Sequence, residues 1–299
     1  MQHLTLAGAP SPVIHQFGHL ARVITSSSDR AALFRDRGHE LAQKHIWPLL
    51  EGIEILSLDV FDTALLRNKK SEARRYFEMA KGFVAYLRDA ERLPDIQVAA
   101  IDVLLARALG MGVSYRARTP VQGSREGSID DVNEICARIL RLDQDTKSTL
   151  LKMEVDYEVG NLVPNAMLLE ISEHFRAAGG KVILLSDMYL PAPAIEEIAE
   201  RVAGKRFFDH VFSSCDFVVS KRSGRIFKEV EDVLKAQSSQ FLHIGDSLLG
   251  DVTRARQAGW QALHLPISNT EVTEREEDLF LFLEEMSAMG IDVSPWAKV

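Results

Sequence analysis

The second half of the chain alternates short apolar segments with amphipathic helical segments, and this rhythm restricts the fold more than any other feature. After Pro164 the apolar segments are KVILLSDM, HVFSSCDF, QFLHIGDS and QALHLP, each separated from the next by a helical pattern. Strands that alternate with helices form a parallel sheet with helices on both faces. This half is therefore predicted to be an α/β domain.

One further strand of this sheet lies far upstream, in IEILSLDV near residues 53–59. The residues between this strand and Pro164 carry mostly helical patterns, so a helical block is predicted to be inserted into the α/β domain. We predict a helical extension over residues 1–50, an α/β core over 51–66 and 165–270, a helical cap over 67–164, and a C-terminal helix and tail over 271–299.

Polar side chains follow the ends of the predicted strands. In open α/β sheets the ligand binds beyond the carboxyl ends of the strands. Burying a carboxylate there is costly unless it is paired or binds a metal. The side chains concerned are Asp59 and Asp62 in DVFDT, Ser186 in LLSDM, Lys221 in VVSKRSG, and Asp246 and Asp251 in GDSLLGD. They predict one site at this edge of the sheet.

These segments resemble, in order and in spacing, the motifs of the haloacid dehalogenase-like hydrolase superfamily. The resemblance covers most of residues 51–265, and SLDVFDTALLR with LLSDMYLP and HIGDS looks most similar to predicted phosphohydrolases of that superfamily. It implies a Rossmann-like parallel-sheet core with an inserted all-helical cap. A lone Asp-x-x-Asp occurs widely, so the ordered set carries the resemblance.

The resemblance also implies roles for single residues. Asp59 would be the nucleophile that forms an aspartyl-phosphate, and would ligate Mg²⁺ together with the backbone carbonyl of Phe61 and the carboxylate of Asp246. Asp251 would ligate the ion or hold its ligands in place. Ser186 would donate a hydrogen bond to a phosphoryl oxygen, and Lys221 would offset negative charge on the nucleophile and the phosphoryl group.

One position departs from the pattern of the family's phosphatases. Their general acid/base is usually an Asp two residues after the nucleophile, but Phe61 stands there, and Asp62 follows one residue later. Three interpretations remain open. Asp62 is turned inward and serves as the acid/base, or it is a structural group that holds the loop, or the leaving group needs little protonation.

Three further side chains are candidates for substrate contact. Tyr189 follows the second motif, and Arg116 and Arg118 lie in GMGVSYRARTPVQGSREGS, a glycine-, proline- and arginine-containing segment that is predicted to be a loop of the cap. A solvated charged loop explains the two arginines equally well.

The function predicted from these features is a Mg²⁺-dependent phosphatase for a small phosphorylated metabolite, such as a sugar phosphate or nucleotide. A 2-haloacid dehalogenase, which also lacks an acid two residues after its nucleophile, and a non-catalytic binding module remain as alternatives.

A net charge of −8 argues against nucleic acid as a partner, and no apolar stretch is long enough for a membrane span. Two distant cysteines suit a reducing cytoplasm, and the acidic C-terminal helix is expected to pack on the core or form a homodimer surface.

Overall fold

The computed structural model describes residues 12–89 and 98–293 of the 299-residue chain. Residues 1–11 of the predicted extension and 294–299 of the predicted tail lie outside the described residues. The strands are β1 (Ile55–Leu58), β2 (Leu65–Arg67), β3 (Leu162–Pro164), β4 (Lys181–Ser186), β5 (His210–Ser213), β6 (Phe241–Gly245) and β7 (Gln261–His264). The helices are α1 (Pro12–Thr25), α2 (Arg30–His45), α3 (Glu72–Asp89), α4 (Ala100–Ala117), α5 (Ile129–Leu140), α6 (Gln144–Asn161), α7 (Ala166–Ala177), α8 (Ala192–Ala203), α9 (Ser214–Phe217), α10 (Ile226–Leu234), α11 (Ala255–Gln257) and α12 (Asn269–Ala288).

Five of these strands form one parallel sheet in the order β5-β4-β1-β6-β7. The first strand in the chain thus lies at the centre, between two strands that come more than a hundred residues later in the sequence. The α/β fold class is confirmed. Because β1 is central and all strands point the same way, the loop that follows β1 lies at the middle of the edge where ligands bind.

Both faces of the sheet are covered, as the continuous apolar runs of its strands require. Successive strand residues point to opposite faces, so Val182 and Leu184 of β4 belong to one core while Ile183 and Leu185 belong to the other. The helices α1 and α2 contribute to the first core. At Gly38 of α2 an added Cβ atom would lie 2.9 Å from that of Met167, so the helix approaches α7 as closely as only glycine permits.

A helical block, α3–α6, is inserted between β2 and β3, and these two short strands pair antiparallel at its base. The helical pattern of DQDTKSTLLKMEVDYEVGNLV predicts a helix through Leu162 and Val163, and this prediction is wrong. Both residues pair with β2, a partner nearly a hundred residues away that local helical propensity does not reveal.

Two other segments also differ from expectation. The segment LGDVTRARQAG, predicted as one helix, contains a π-helical segment at Leu248–Arg254 followed by α11. In HVFSSCDF only the first four residues are strand, and α9 follows. None of the helices described between residues 12 and 293 has the length and apolarity that crossing a bilayer would demand.

Candidate active site

A cavity of about 340 Å³ opens at the carboxyl ends of β1, β4 and β6. Its lining includes every predicted catalytic and metal-binding residue, so the structure brings together the residues that the motif order predicted: Asp59, Phe61, Asp62, Ser186, Lys221, Asp246 and Asp251. Ser186 ends β4 and is almost completely buried. The roles of these residues in binding and catalysis stay predictions.

Asp59 and Lys221 form a buried ion pair at the bottom of this cavity. The Lys221 Nζ lies 2.5 Å from Asp59 Oδ1 and 2.7 Å from Asp251 Oδ1. Burial raises the pKa of Asp59 to about 6; the positive charge of Lys221 opposes this change, and the nearby carboxylate of Asp251 adds to it. Asp59 is therefore largely ionised at neutral pH and lies beside a fixed cation.

Lys221 is itself held by the loop after β4. Asp187 accepts hydrogen bonds from the backbone N–H groups of Lys221, at 2.7 Å, and of Arg222, at 3.1 Å. Asp187 therefore caps the turn that carries Lys221 and positions the lysine.

Three carboxylates crowd together at the same place. One ligand oxygen each from Asp59, Asp246 and Asp251 lies within 4.8 Å of the others. Among the residues the structure describes, no donor lies within hydrogen-bonding distance of the Asp246 carboxylate. Burial, together with the charges of Asp59, Asp62 and Asp251, raises the pKa of Asp246 to about 8, although Lys221 acts in the opposite direction. Carboxylates in excess of nearby cations suit a hard divalent ion such as Mg²⁺, so the donor set fits the predicted cofactor.

A buried hydrogen-bond chain holds Asp251 in this cluster. The Ser247 N–H donates to Asp251 Oδ2 at 2.8 Å, and His243 Nε2 lies 3.0 Å from Asp251 Oδ1. The other ring nitrogen, His243 Nδ1, lies 2.8 Å from Ser57 Oγ in β1. Although burial acts in the opposite direction, Lys221 and His243 lower the pKa of Asp251 below its usual range. The carboxylate is thus fixed in orientation and ionised.

The carboxylate of Asp62 points into a group of arginines. Arg275 of α12 donates to both of its oxygens, at 2.6 and 3.1 Å. The guanidinium groups of Arg30 and Arg67 lie 3.5 and 3.6 Å away. Burial alone would raise the pKa of Asp62, but these cations, Arg275 foremost, hold it well below its usual range.

The backbone explains this orientation. Asp62 has a φ of 63°, in the left-handed region, where Asp is among the few side chains tolerated. The Arg30 guanidinium donates to the Asp62 carbonyl oxygen at 2.7 Å, which fixes the turn from the N-terminal side. An acid held ionised by three cations cannot readily donate a proton. The first of the three interpretations of Asp62, inward rotation to act as acid/base, therefore does not fit its surroundings, and the structural interpretation does.

The family to which the chain belongs is decided by sequence comparison. A model described as haloacid dehalogenase-like hydrolase matches residues 44–259. The chain belongs to the haloacid dehalogenase-like hydrolase family. The match spans β1 to the residues just before β7 and includes every predicted catalytic and metal-binding residue. No curated protein sequence matches the chain significantly.

Solved structures that resemble this haloacid dehalogenase-like hydrolase come from the same family. One is 2-haloacid dehalogenase from Pseudomonas syringae pv. Tomato DC3000, with 15% identity and a TM-score of 0.45, covering 77% of this chain and 99% of that one. A predicted HAD-like family hydrolase from Porphyromonas gingivalis has 18% identity and a TM-score of 0.45, covering 73% and 92%. The putative HAD-hydrolase YfnB from Bacillus subtilis, bound to magnesium, has 15% identity and a TM-score of 0.42, covering 70% and 87%.

In this haloacid dehalogenase-like hydrolase, Tyr189 does not line the cavity, and its predicted contact with substrate stays a prediction. Its hydroxyl donates to Glu154 Oε1 at 2.6 Å and accepts from Arg107 at 2.9 Å. Arg107 also binds both oxygens of Glu154, at 2.7 and 2.9 Å. Tyr189 is buried, and its hydroxyl joins the core to an ion pair of the helical insertion. The sequence does not reveal these contacts, because a tyrosine just after a strand end can point towards the cavity or away from it.

Arg116 and Arg118 also lie away from the cavity, whose lining is made of other residues. Arg116 is exposed in the last turn of α4. Arg118 donates to the Glu126 carbonyl oxygen at 3.0 Å, within the same segment of the insertion. Their predicted role in substrate binding stays a prediction that the cavity lining does not support.

Sequence reasoning missed the other arginines of the site. Arg67 and Arg222 line the cavity, and Arg30 and Arg275 bind Asp62 from helices at opposite ends of the chain. Arg67 is the last residue of SLDVFDTALLR and follows Asp59 by eight residues. Its closeness to the predicted nucleophile in sequence was therefore the available indication that it lies at the site. Arg30 and Arg275 had none, because only the tertiary fold brings them to Asp62.

Proposed function

We propose that this hydrolase is a Mg²⁺-dependent phosphatase that acts on a small phosphorylated metabolite. The observation that carries the proposal is the cluster of Asp59, Asp246 and Asp251, whose negative charge exceeds what Lys221 offsets. A phosphomonoester is itself anionic, so attack on it by a carboxylate needs additional positive charge. Displacement of a halide from a haloacid does not require a bound metal ion.

Asp59, Asp246 and Asp251, with the backbone carbonyl of Phe61, are the residues proposed to hold the ion. When bound, Mg²⁺ would supply the positive charge that lets a carboxylate approach a phosphoryl group. Asp251 is already oriented by His243 and Ser247, so the binding residues are partly preorganised.

The chain's own groups account for the two chemical steps. Asp59 attacks phosphorus, a bond from its carboxylate oxygen to phosphorus forms, and the bond from phosphorus to the leaving oxygen breaks. Water then attacks the aspartyl-phosphate and releases inorganic phosphate and free Asp59. Lys221 lies against Asp59 throughout, and Ser186, at the end of the neighbouring strand, is the proposed donor to a phosphoryl oxygen. With Asp62 bound to arginines, the proton for the leaving oxygen comes from solvent or is not required.

The lack of a proton donor for the leaving group favours a second candidate, a 2-haloacid dehalogenase. Phe61 occupies the position where the family's phosphatases usually have their acid, and Asp62 is held ionised. A departing halide needs no proton, so a site without a proton donor suits it. The carboxylate cluster favours phosphatase activity, and the missing acid favours dehalogenation.

One pair of assays separates the two. The full chain is incubated with p-nitrophenyl phosphate over a range of Mg²⁺ concentrations, and separately with 2-chloropropionate, with phosphate and chloride release measured. We expect Mg²⁺-dependent phosphate release that EDTA abolishes. Chloride release that is insensitive to EDTA, without phosphate release, would replace the proposal by the second candidate. No product in either assay, or with a broad panel of phosphorylated metabolites, would indicate a binding module.

A further inference from the structure

Arg67 is a cavity-lining guanidinium that none of the described residues fully pairs. It ends β2, at the base of the helical insertion, and its side chain is 15% exposed. Its nearest carboxylate oxygens, on Asp62 and Glu158, lie 3.6 and 3.8 Å away, beyond ordinary hydrogen-bonding distance. Among the described residues none accepts a hydrogen bond from it, and its buried Nε is without a partner.

The ion-paired set around Arg67 contains one more guanidinium group than carboxylates. Asp62 already receives two hydrogen bonds from Arg275, and Glu158 is also 3.6 Å from Arg75. The connected set contains four guanidinium groups and three carboxylates: Arg30, Arg67, Arg75 and Arg275 with Asp62, Glu158 and Glu271. Of the four arginines, Arg67 is the one that lines the cavity. The set therefore presents about one uncompensated positive charge to a ligand.

The aromatic ring of Phe61 packs against the guanidinium group of Arg67. The Arg67 Cζ atom lies 4.2 Å from the centroid of the Phe61 ring, a distance at which a cation is attracted to an aromatic face. The residue that replaces the family's usual acid thus forms a platform for a cation. A guanidinium with free N–H groups on a fixed platform matches the two oxygens of a carboxylate.

We propose that Arg67 binds a carboxylate of the substrate, so that the substrate is a short phosphorylated carboxylic acid. The inference rests on the proposed function, because it assumes that the phosphoryl group lies at Asp59. The single excess charge of this ion-paired set matches a carboxylate better than a second phosphate. Arg222 also lines the cavity, but it follows Lys221 on the loop held by Asp187, beside the proposed phosphoryl site. A cavity of about 340 Å³ is near the lower limit for ligand pockets, which favours an acid of a few carbon atoms over a nucleotide.

The test compares phosphate esters that differ only in a carboxylate. The pairs are phosphoglycolate with methyl phosphate, 3-phosphoglycerate with 2-hydroxyethyl phosphate, and O-phosphoserine with 2-aminoethyl phosphate. For at least one pair we expect kcat/KM of the Mg²⁺-loaded wild-type chain to be about 10- to 100-fold higher for the acid, the range of a hydrogen bond to a charged group. Arg67→Gln should remove this preference, and Arg67→Lys should keep part of it.

Arg75→Gln is the matched control, because Arg75 belongs to the same ion-paired set but does not line the cavity. It should leave the ratio within each pair unchanged. Melting temperatures verify that each variant is folded, and the wild-type comparison does not depend on any variant.

A binding measurement tests the inference without turnover. Phosphonoacetate and methylphosphonate are titrated calorimetrically into the chain at saturating Mg²⁺, and we expect the former to bind more tightly in the wild type but not in Arg67→Gln. If p-nitrophenyl phosphate is hydrolysed while no ester pair and no phosphonate pair differs, the inference about Arg67 is wrong and the phosphatase proposal stands. If no phosphate ester is hydrolysed, the phosphatase proposal fails. The phosphonate titration then decides whether Arg67 binds a carboxylate.

Discussion

Arg275, in the last described helix, donates two hydrogen bonds to the carboxylate of Asp62, three residues after the proposed nucleophile Asp59. Arg30, in the second helix, binds the backbone carbonyl of the same Asp62 and contacts Glu271 of α12. The loop that carries the nucleophile is thus held by two helices from opposite ends of the described chain. This arrangement leads to the first prediction.

Arg275→Met should lower the free energy of unfolding by about 2–5 kcal/mol, because it leaves a buried carboxylate short of a partner. The lower part of this range is expected, since Arg30 and Arg67 remain near Asp62. Urea unfolding of the variant measures the change. Arg138→Met is the control, since this exposed arginine pairs with Glu134 along its own helix; an equal effect in both variants would contradict the prediction.

Asp62→Asn tests whether Asp62 is an acid/base or a structural group. A positioned acid/base contributes about 10²–10⁴-fold in rate, and its loss should affect an alkyl phosphate far more than p-nitrophenyl phosphate, whose leaving group needs no proton. Because arginines hold Asp62 ionised, we expect equal losses on both esters and a lower melting temperature. A selective loss on the alkyl ester, with aspartyl-phosphate accumulating from the aryl ester, would restore the acid/base role.

Asp59→Asn should abolish turnover and leave the protein folded. The amide keeps the shape of the side chain but is a far weaker nucleophile, and Lys221 keeps Asp251 as its partner. Phosphate release and the melting temperature are the two measurements. Asp36→Asn, at an exposed acid beside Arg35, is the matched control and should retain activity. A folded Asp59→Asn variant with wild-type turnover would refute the assignment of the nucleophile.

The stabilising effect of Mg²⁺ should increase as the pH rises from 6 to 8. In the metal-free protein the pKa of Asp246 is raised to about 8, so the folded state binds more protons than the unfolded state in this range, and stability falls as the pH rises. Mg²⁺ requires the ionised carboxylate, so its affinity should increase by up to about tenfold per pH unit below 8.

Melting temperatures with and without Mg²⁺, at pH 6, 7 and 8, measure this effect. Asp246→Asn should lose both the Mg²⁺-dependent increase and most of its pH dependence. A Mg²⁺ effect that is constant over this range in the wild type would remove Asp246 from the proposed ligands.

Tyr189→Phe separates a structural role from substrate binding. Removing the hydroxyl deletes the hydrogen bond to Glu154 and one from Arg107, which should lower the free energy of unfolding by about 1–3 kcal/mol. The KM for p-nitrophenyl phosphate should not change. A raised KM at unchanged stability would place Tyr189 at the substrate after all.

Local patterns were sufficient to predict the sheet and the polar residues at its edge. Asp59, Ser186 and Asp246 could be predicted to lie together because parallel strands end at one edge, and each residue stands at or directly after the end of its strand. The environment of Asp62 could not be predicted, because Arg275 is 213 residues away and reaches it only through the packing of α12. The contacts of Tyr189 could not be predicted for a similar reason: its partners Arg107 and Glu154 lie in the helical insertion, and nothing in the local sequence indicates that the tyrosine points towards them.

The attachment of Asp62 to both α2 and α12 has a consequence for biosynthesis. A chain that emerges from the ribosome presents β1 and its acidic loop long before residue 275 has been synthesised, so Asp62 lacks its main partner during that interval. The carboxylates of the site come together only with β6, also late in the chain. We therefore expect nascent chains that end before α12 to hold this loop poorly, so that phosphate turnover begins only after the last helix has been released and has docked.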